Sequence, residues 1–224
     1  MSNKVTKKQD ELENVEHALT ASEAFVEKYQ KQLLYGLGIV SAIVVVFLAA
    51  NNFYFKPRSV EAANEMFRSQ QYFARDSFRL ALEGDDFESI GFAEIATKYS
   101  FTSSANLAKA YAGICLFHLG EYEQAIVHLS SYDAKDEYFS VSVIGLIGDC
   151  YAESGNLKEA AKFFMRAADK NNDVLSPLYL KKAAAIFEAE GEYAKALKNY
   201  QTIKDNYPVS MESQDIDKYI SRLQ

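Results

Sequence analysis

The sequence has few of the residues that punctuate or cross-link a chain. Only three prolines and ten glycines occur in 224 residues. That excludes an all-β fold with its many turns, and also a disordered linker rich in both residues. Two cysteines cannot build a disulfide framework or a four-thiolate zinc site. Tryptophan is absent, and histidine occurs only as His17, His118 and His128. No HExxH, CxxC or glycine-rich phosphate loop accompanies them. Acidic residues exceed basic ones, 31 to 24, with a pI near 5.1. This argues against a general nucleic-acid binder, because phosphate neutralisation needs a basic surface. The acidic cluster Glu83, Asp85, Asp86 and Glu88 lacks the spacing of a calcium loop and reads as a helix junction. No catalytic, cofactor-binding or metal site is therefore expected, and the chain is not expected to be an enzyme.

What is present is unevenly distributed. Residues 33–50 read LLYGLGIVSAIVVVFLAA; eleven of these eighteen are Leu, Ile, Val or Phe, and no charge occurs between Lys31 and Lys56. At a rise of about 1.5 Å per residue they span roughly 27 Å, and Asn51–Phe55 complete a hydrocarbon core. Tyr35, Phe53, Tyr54 and Phe55 sit near the ends, where aromatic rings prefer the interface. The segment 33–55 is expected to be a transmembrane helix, with Gly36 and Gly38 serving helix packing. A cleaved signal peptide fits poorly. The preceding 32 residues are long and carry five Lys against six acids, and Leu48 would occupy a cleavage position that wants a small residue. Flanking charge, Lys28 and Lys31 against Lys56, Arg58 and Arg68, slightly favours the C-terminal part staying inside.

Residues 1–32 are polar and helix-forming. Leu12, Val15, Leu19, Ser22, Val26, Tyr29 and Leu33 alternate at spacings of three and four. This heptad seam either docks on a partner helix or merely continues the membrane span. Beyond Pro57, the region 56–103 is expected to hold a long helix, Ser59 to Leu82, ended by Gly84. A second helix near Phe87–Tyr99 follows, capped by Asp85 or Asp86.

From there the chain repeats itself. Gly120, Gly155 and Gly191 are 35 and 36 residues apart, in the strings LGEYEQA, SGNLKEA and EGEYAKA. Each glycine stands between two apolar-periodic stretches, where a residue lacking Cβ can take a positive φ. Five residues on come Ala125, Ala160 and Ala196. The pattern resembles the tetratricopeptide repeat, a pair of antiparallel helices of about 34 residues. In the middle unit Gly148, Tyr151, Ala160, Phe164 and Ala167 match it. The third unit has Ala184, Phe187, Ala196, Tyr200 and Pro208, with Ile203 where a small residue is usual. The first has Gly113 and Ala125, with Leu116 and Leu129 in place of aromatics. Lys109, Ile144 and Leu180 stand where the family has Trp. Gly84, in phase 36 residues before Gly120, suggests a degenerate earlier unit. Ile216, Tyr219, Ile220 and Leu223 suggest a capping helix. Cys115 and Cys150 fall at equivalent places and read as unbridged packing residues, since stacked helices lie about 8–10 Å apart.

The expected fold is therefore all-α. An N-terminal transmembrane helix precedes a tetratricopeptide-repeat α-solenoid over 104–224, closed by a C-terminal capping helix. Such arrays bind protein segments on the concave face of their first helices. By register that face holds Ile114, Phe117 and His118, then Asp149, Ala152 and Glu153, then Lys181, Ala185 and Glu188. The layout resembles single-pass tetratricopeptide proteins of the bacterial envelope, above all the family of ancillary subunits of the Sec translocon. That resemblance implies an inner-membrane protein with a cytoplasmic N-terminus and periplasmic repeats. It also implies two partners, the SecYEG channel and a membrane-anchored chaperone of the peptidyl-prolyl isomerase type. Neither nucleic acid nor a small-molecule substrate is implied. The alternative is a scaffold for another envelope machine, in outer-membrane or cell-wall biogenesis.

Overall fold

The computed structural model describes residues 28–32, 34–85, 89–133 and 136–224. The seam of residues 12–33 lies outside them, apart from Tyr29. The chain divides into two compact units, Met1–Pro57 and Arg58–Gln224.

In the first unit, residues 34–50 form helix α1. Its large apolar side chains from Leu34 to Leu48 are all exposed. Among the described residues one helix, near the N-terminus, is long and apolar enough to cross a membrane by length and composition. Asn51–Phe55 then adopt one π-helical turn, and Lys56 Nζ donates to Asn52 Oδ1 at 3.1 Å.

The second unit is helical throughout its described residues, with one isolated bridge between Gly84 and Ile90. Its helices are α2 (Lys56–Phe73, entering this unit at Arg58), α3 (Phe78–Glu83), α4 (Phe92–Lys98), α5 (Ser103–His118) and α6 (Tyr122–Ser130). They are followed by α7 (Phe139–Glu153), α8 (Leu157–Ala168), α9 (Leu175–Ala189), α10 (Tyr193–Asn206) and α11 (Ile216–Arg222). Consecutive helices from α4 to α10 pack on one another, and α11 packs on α10.

Three pairs, α5/α6, α7/α8 and α9/α10, turn identically. Gly120, Gly155 and Gly191 have φ of 78°, 80° and 75°. The amide after each donates to the carbonyl five residues back: Glu121 to Leu116 at 2.9 Å, Asn156 to Tyr151 at 2.8 Å, Glu192 to Phe187 at 2.7 Å. Each glycine amide donates to Phe117, Ala152 or Glu188, always at 3.0 Å. This is the Schellman geometry, which satisfies orphan carbonyls at the cost of one left-handed residue.

The helix pairs close because small residues face large ones. A Cβ on Gly148 would stand 2.7 Å from the Phe164 ring, and one on Gly113 would stand 2.5 Å from Leu129 Cγ. Ala125, Ala160 and Ala196 are fully buried beside them, and Ala167 and Ile203 likewise. Tyr200 and Leu129 are 1% exposed, so an aromatic and an aliphatic fill equivalent space. Pro208 is exposed and follows the end of α10. In α11, Ile216 and Ile220 are buried on the last pair, with Tyr219 and Leu223 packed beside them. Cys115 and Cys150 are free and buried.

The earliest pair differs from the sequence reading. The helix expected over 59–82 breaks at Phe73, and Asp76 takes φ 56°. Ser77 N–H donates to Tyr72 at 3.0 Å and Asp76 N–H to Phe73 at 3.0 Å. This is the same Schellman turn with Asp in the left-handed position, which Asp tolerates better than most residues. Counting from Asp76, Ser69 holds the small site, Tyr72 the aromatic one and Ala81 the fully buried one. Gly84 is thus not the helix turn. Its φ of 92° and ψ of −178° lie outside the left-handed-helical well, in a positive-φ region that essentially only Gly adopts, and a Cβ there would lie 2.3 Å from Ser89 O. The expected helix near 87–99 starts only at Phe92, with Gly91 as its N-cap. Asp85 caps no helix; its Oδ1 accepts from Ser89 N–H at 3.0 Å, while Asp86 lies outside the described residues. Gly84, bridged to Ile90, and Gly91 therefore lie between two short helices, α3 and α4, where the regular units have one longer helix. Phe92, fully buried, supplies the missing aromatic by stacking on Tyr111 at 4.9 Å. Phe73 meets the same Tyr111 edge-on at 5.1 Å.

Candidate interaction surface

The residues expected on the first-helix face have distinct fates. Ile114 and Phe117 are half-buried against the core of the early units. His118, at the end of α5, stacks on Phe78 of α3 with ring centroids 4.2 Å apart and planes 5° apart. It therefore packs on the preceding second helix. Ala152 is half-buried, while Glu153 and Ala185 are exposed.

The remaining charges are engaged between units. Lys182 Nζ donates to both Asp149 oxygens, at 2.7 and 2.9 Å. Lys181 Nζ donates to Asp215 Oδ1 at 2.8 Å. Arg222 Nη2 donates to the Glu188 carboxylate at 2.8 and 2.5 Å. The partners are 33, 34 and 34 residues apart, so each bond ties one unit to the next or to α11. Lys181 holds the Asp215 carboxyl below the usual carboxylate range, chiefly by its hydrogen bond. Glu188 raises the Arg222 guanidinium in the same way. Burial first, and Glu188 second, push the Tyr200 hydroxyl up. Ion pairs this exposed contribute little stability.

Lys182, Asp215 and Arg222 escaped the sequence reading. Their signal was an opposite charge one repeat length from Asp149, Lys181 and Glu188. With these bonds made, the face still shows Glu153, Ala185, the exposed side of His118, the outer sides of the ion pairs and the edges of the half-buried apolar residues. That surface is extended and non-polar in part, suited to a polypeptide.

The surface also holds clefts that contain none of these face residues. One, of about 480 Å³, is lined by Thr97, Phe101, Thr102, Asn106, Lys109 and Asp133 among others. Another, of about 430 Å³, has an apolar floor of Ala161, Met165, Ile186 and Phe187 and a rim of Lys and Glu. Among the described residues no group of three or more His, Cys, Asp or Glu is arranged to hold a metal. Burial pushes the Cys115 and Cys150 thiols up to about 12, which leaves them protonated and poor nucleophiles.

Comparison with known proteins agrees with the geometry. The tetratricopeptide repeat family matches residues 179–210, which cover most of α9 and all of α10. A curated relative, Superkiller complex protein 3 of Mus musculus, is 32% identical over 137 residues, 57% of this chain. The match spans only 8% of that much longer protein. Repeated Schellman turns, small-to-large packing within pairs and the family match together identify tetratricopeptide-type repeats in a structure that is helical over its described residues, an architecture that generally serves protein–protein interaction.

Proposed function

We propose that the chain is a non-catalytic scaffold, held at a membrane by its N-terminal apolar helix, whose repeats bind protein partners beside a secretion channel. The observation that carries this reading is the pairing of repeats with a helix that leaves every large apolar side chain from Leu34 to Leu48 uncovered. In water such a surface would drive aggregation; in lipid it is solvated. Anchoring confines the repeats to a thin layer and raises their effective concentration there.

The finer assignment is an accessory subunit of the Sec translocon, with the SecYEG channel and a periplasmic isomerase-type chaperone as partners. It draws support from layout: anchor, modified first unit, three regular pairs and a cap. In this reading the N-terminus is cytoplasmic and the repeats are periplasmic. Affinity purification of the full chain in mild detergent tests the role, and co-enrichment of channel subunits is expected. Recovery of the chain without them overturns the translocon assignment. Orientation is read by an impermeant thiol reagent on intact spheroplasts carrying Ser2→Cys or Ser221→Cys. Labelling at the second position alone is expected, and labelling at the first alone reverses the topology.

A further inference from the structure

In the stacked antiparallel pairs, every second helix returns to the next first helix at one edge of the array, opposite the glycine turns. Large apolar side chains recur on that edge. Phe101, Tyr138, Val174 and Val209 are 95%, 59%, 63% and 97% exposed. They are 37, 36 and 35 residues apart, in step with the repeat. Met211, 81% exposed, extends the last position. The opposite edge carries Glu121, Asn156 and Glu192 directly after its glycines.

Local folding does not ask for these residues. Helix starts favour Ser, Thr, Asp and Asn, yet Tyr138 and Val174 occupy the N-cap positions of α7 and α9 and make no side-chain cap bond. Neighbours cap the helices instead. Asp136 Oδ1 accepts from Phe139 and Ser140 amides. Asn172 Oδ1 accepts from Val174 at 3.0 Å and Leu175 at 2.9 Å, and Thr102 Oγ1 accepts from Ala105 at 3.1 Å. Phe101, just before Thr102, sits at φ 73°, a region that bulky side chains avoid. It stands in solvent rather than folding back on α5 as a hydrophobic staple would. The loops before α5, α7 and α9 are thus held by polar caps and present their apolar side chains outward. The later loops are acidic, though the short loop of Phe101 carries no acid: Asp133, Glu137, Asp169 and Asp173 are exposed, and acids there outnumber Lys135 and Lys170.

We propose that this loop edge is a second docking surface, distinct from the first-helix face, whose occupant is a basic amphipathic protein segment. Its apolar side chains cover the row from Phe101 to Val209, and its Lys and Arg meet the acidic flanks. Charge complementarity selects this occupant. An anionic lipid surface, the other acceptor of exposed apolar loops, is repelled by the same carboxylates. The edge is independent of the translocon assignment, so failure of one leaves the other standing.

The test uses the full chain in zwitterionic nanodiscs, with empty discs as blank. The probe is a fluorescein-labelled amphipathic peptide of Leu and Lys, its counterpart a peptide of Leu and Glu, and the readout is fluorescence anisotropy. The Lys peptide is expected to bind, more weakly as salt rises. The combined Phe101→Ser, Val174→Ser and Val209→Ser variant is expected to lose about tenfold or more in affinity. The melting temperature monitors its fold, and Phe101→Ser alone serves if the triple variant is destabilised. Ala185→Glu, on the first-helix face, is expected to leave binding unchanged. Equal binding of both peptides, unchanged affinity in the Ser variants, or an equal loss in Ala185→Glu overturns the proposal. So does binding to anionic vesicles that the Ser variants abolish, which would assign the row to lipid.

Discussion

Gly145 on α7 is the position where two physical effects oppose each other most clearly. A Cβ built there would lie 2.0 and 2.1 Å from two ring carbons of Tyr179 on α9 and 2.2 Å from its hydroxyl oxygen. Tyr179 is 5% exposed and stacks on Phe164, centroids 6.0 Å apart and planes 13° apart. The ring therefore has no free side to retreat into. On helix propensity alone, Gly145→Ala should stabilise the protein by about 1 kcal/mol. Overpacking in a closed core costs about 1–3 kcal/mol, and overlap this deep belongs at the upper end. The net expectation is destabilisation of about 2 kcal/mol. For a domain of this size that lowers Tm by roughly 4–8 °C. Thermal unfolding followed by circular dichroism reads the change, and a double-mutant cycle with Tyr179→Ala isolates its origin. Removing the ring should erase the penalty, so that Gly145→Ala in the Tyr179→Ala background is neutral or stabilising. A raised Tm for Gly145→Ala alone would refute the close approach of α7 and α9 at this point.

The first-unit turn makes a second expectation. Asp76→Gly should shift stability by less than about 1 kcal/mol, because relief of the left-handed conformation offsets the added freedom of the unfolded chain. Asp76→Val should cost about 1–2 kcal/mol; equal midpoints for both variants in urea would place the turn elsewhere. Stability should also fall in alkali. Burial raises the Cys115 and Cys150 thiols from 9.0 to about 12 and the Tyr179 hydroxyl from 10.0 to about 12. A folded-state pKa above the unfolded value contributes stability that is complete below the unfolded pKa and lost as pH rises through the folded one. Tm should therefore decline from about pH 9 towards pH 12, and both thiols should react with an aromatic disulfide reagent only on unfolding. A flat Tm across that range, or prompt thiol reaction at neutral pH, counts against their burial.

The regular units were legible because their turns impose a rare requirement at fixed intervals. A left-handed residue usually means Gly, and Gly120, Gly155 and Gly191 supply it. The first unit hid because Asp76 meets the same requirement without Gly, while the residues 84–91 shift the downstream phase. Gly84 then falls in step with Gly120 by coincidence, its glycine demanded by the close approach of Ser89 O. Register alone assigns residues to the first-helix face, and it carries nothing about their availability. Which of Asp149, Lys181 and Glu188 remain open depends on charges a full repeat away, and periodicity of one helix carries no record of them. His118 shows the same gap: its register assigns it to the face, while Phe78 holds it against the preceding pair.

The two hydrophobic clusters meet at α7. Val143, Ile147 and Cys150 belong to the one that runs back to Ala62, and Val141 belongs to the one that runs forward to Ile220. Tyr151 is packed against both. In a linear stack each pair senses only its neighbours, and Tyr151 on α7 is a neighbour to both clusters. A packing change at Tyr151 is therefore felt on both sides of the array at once, whereas one at Ala62 or Ile220 stays within its own cluster.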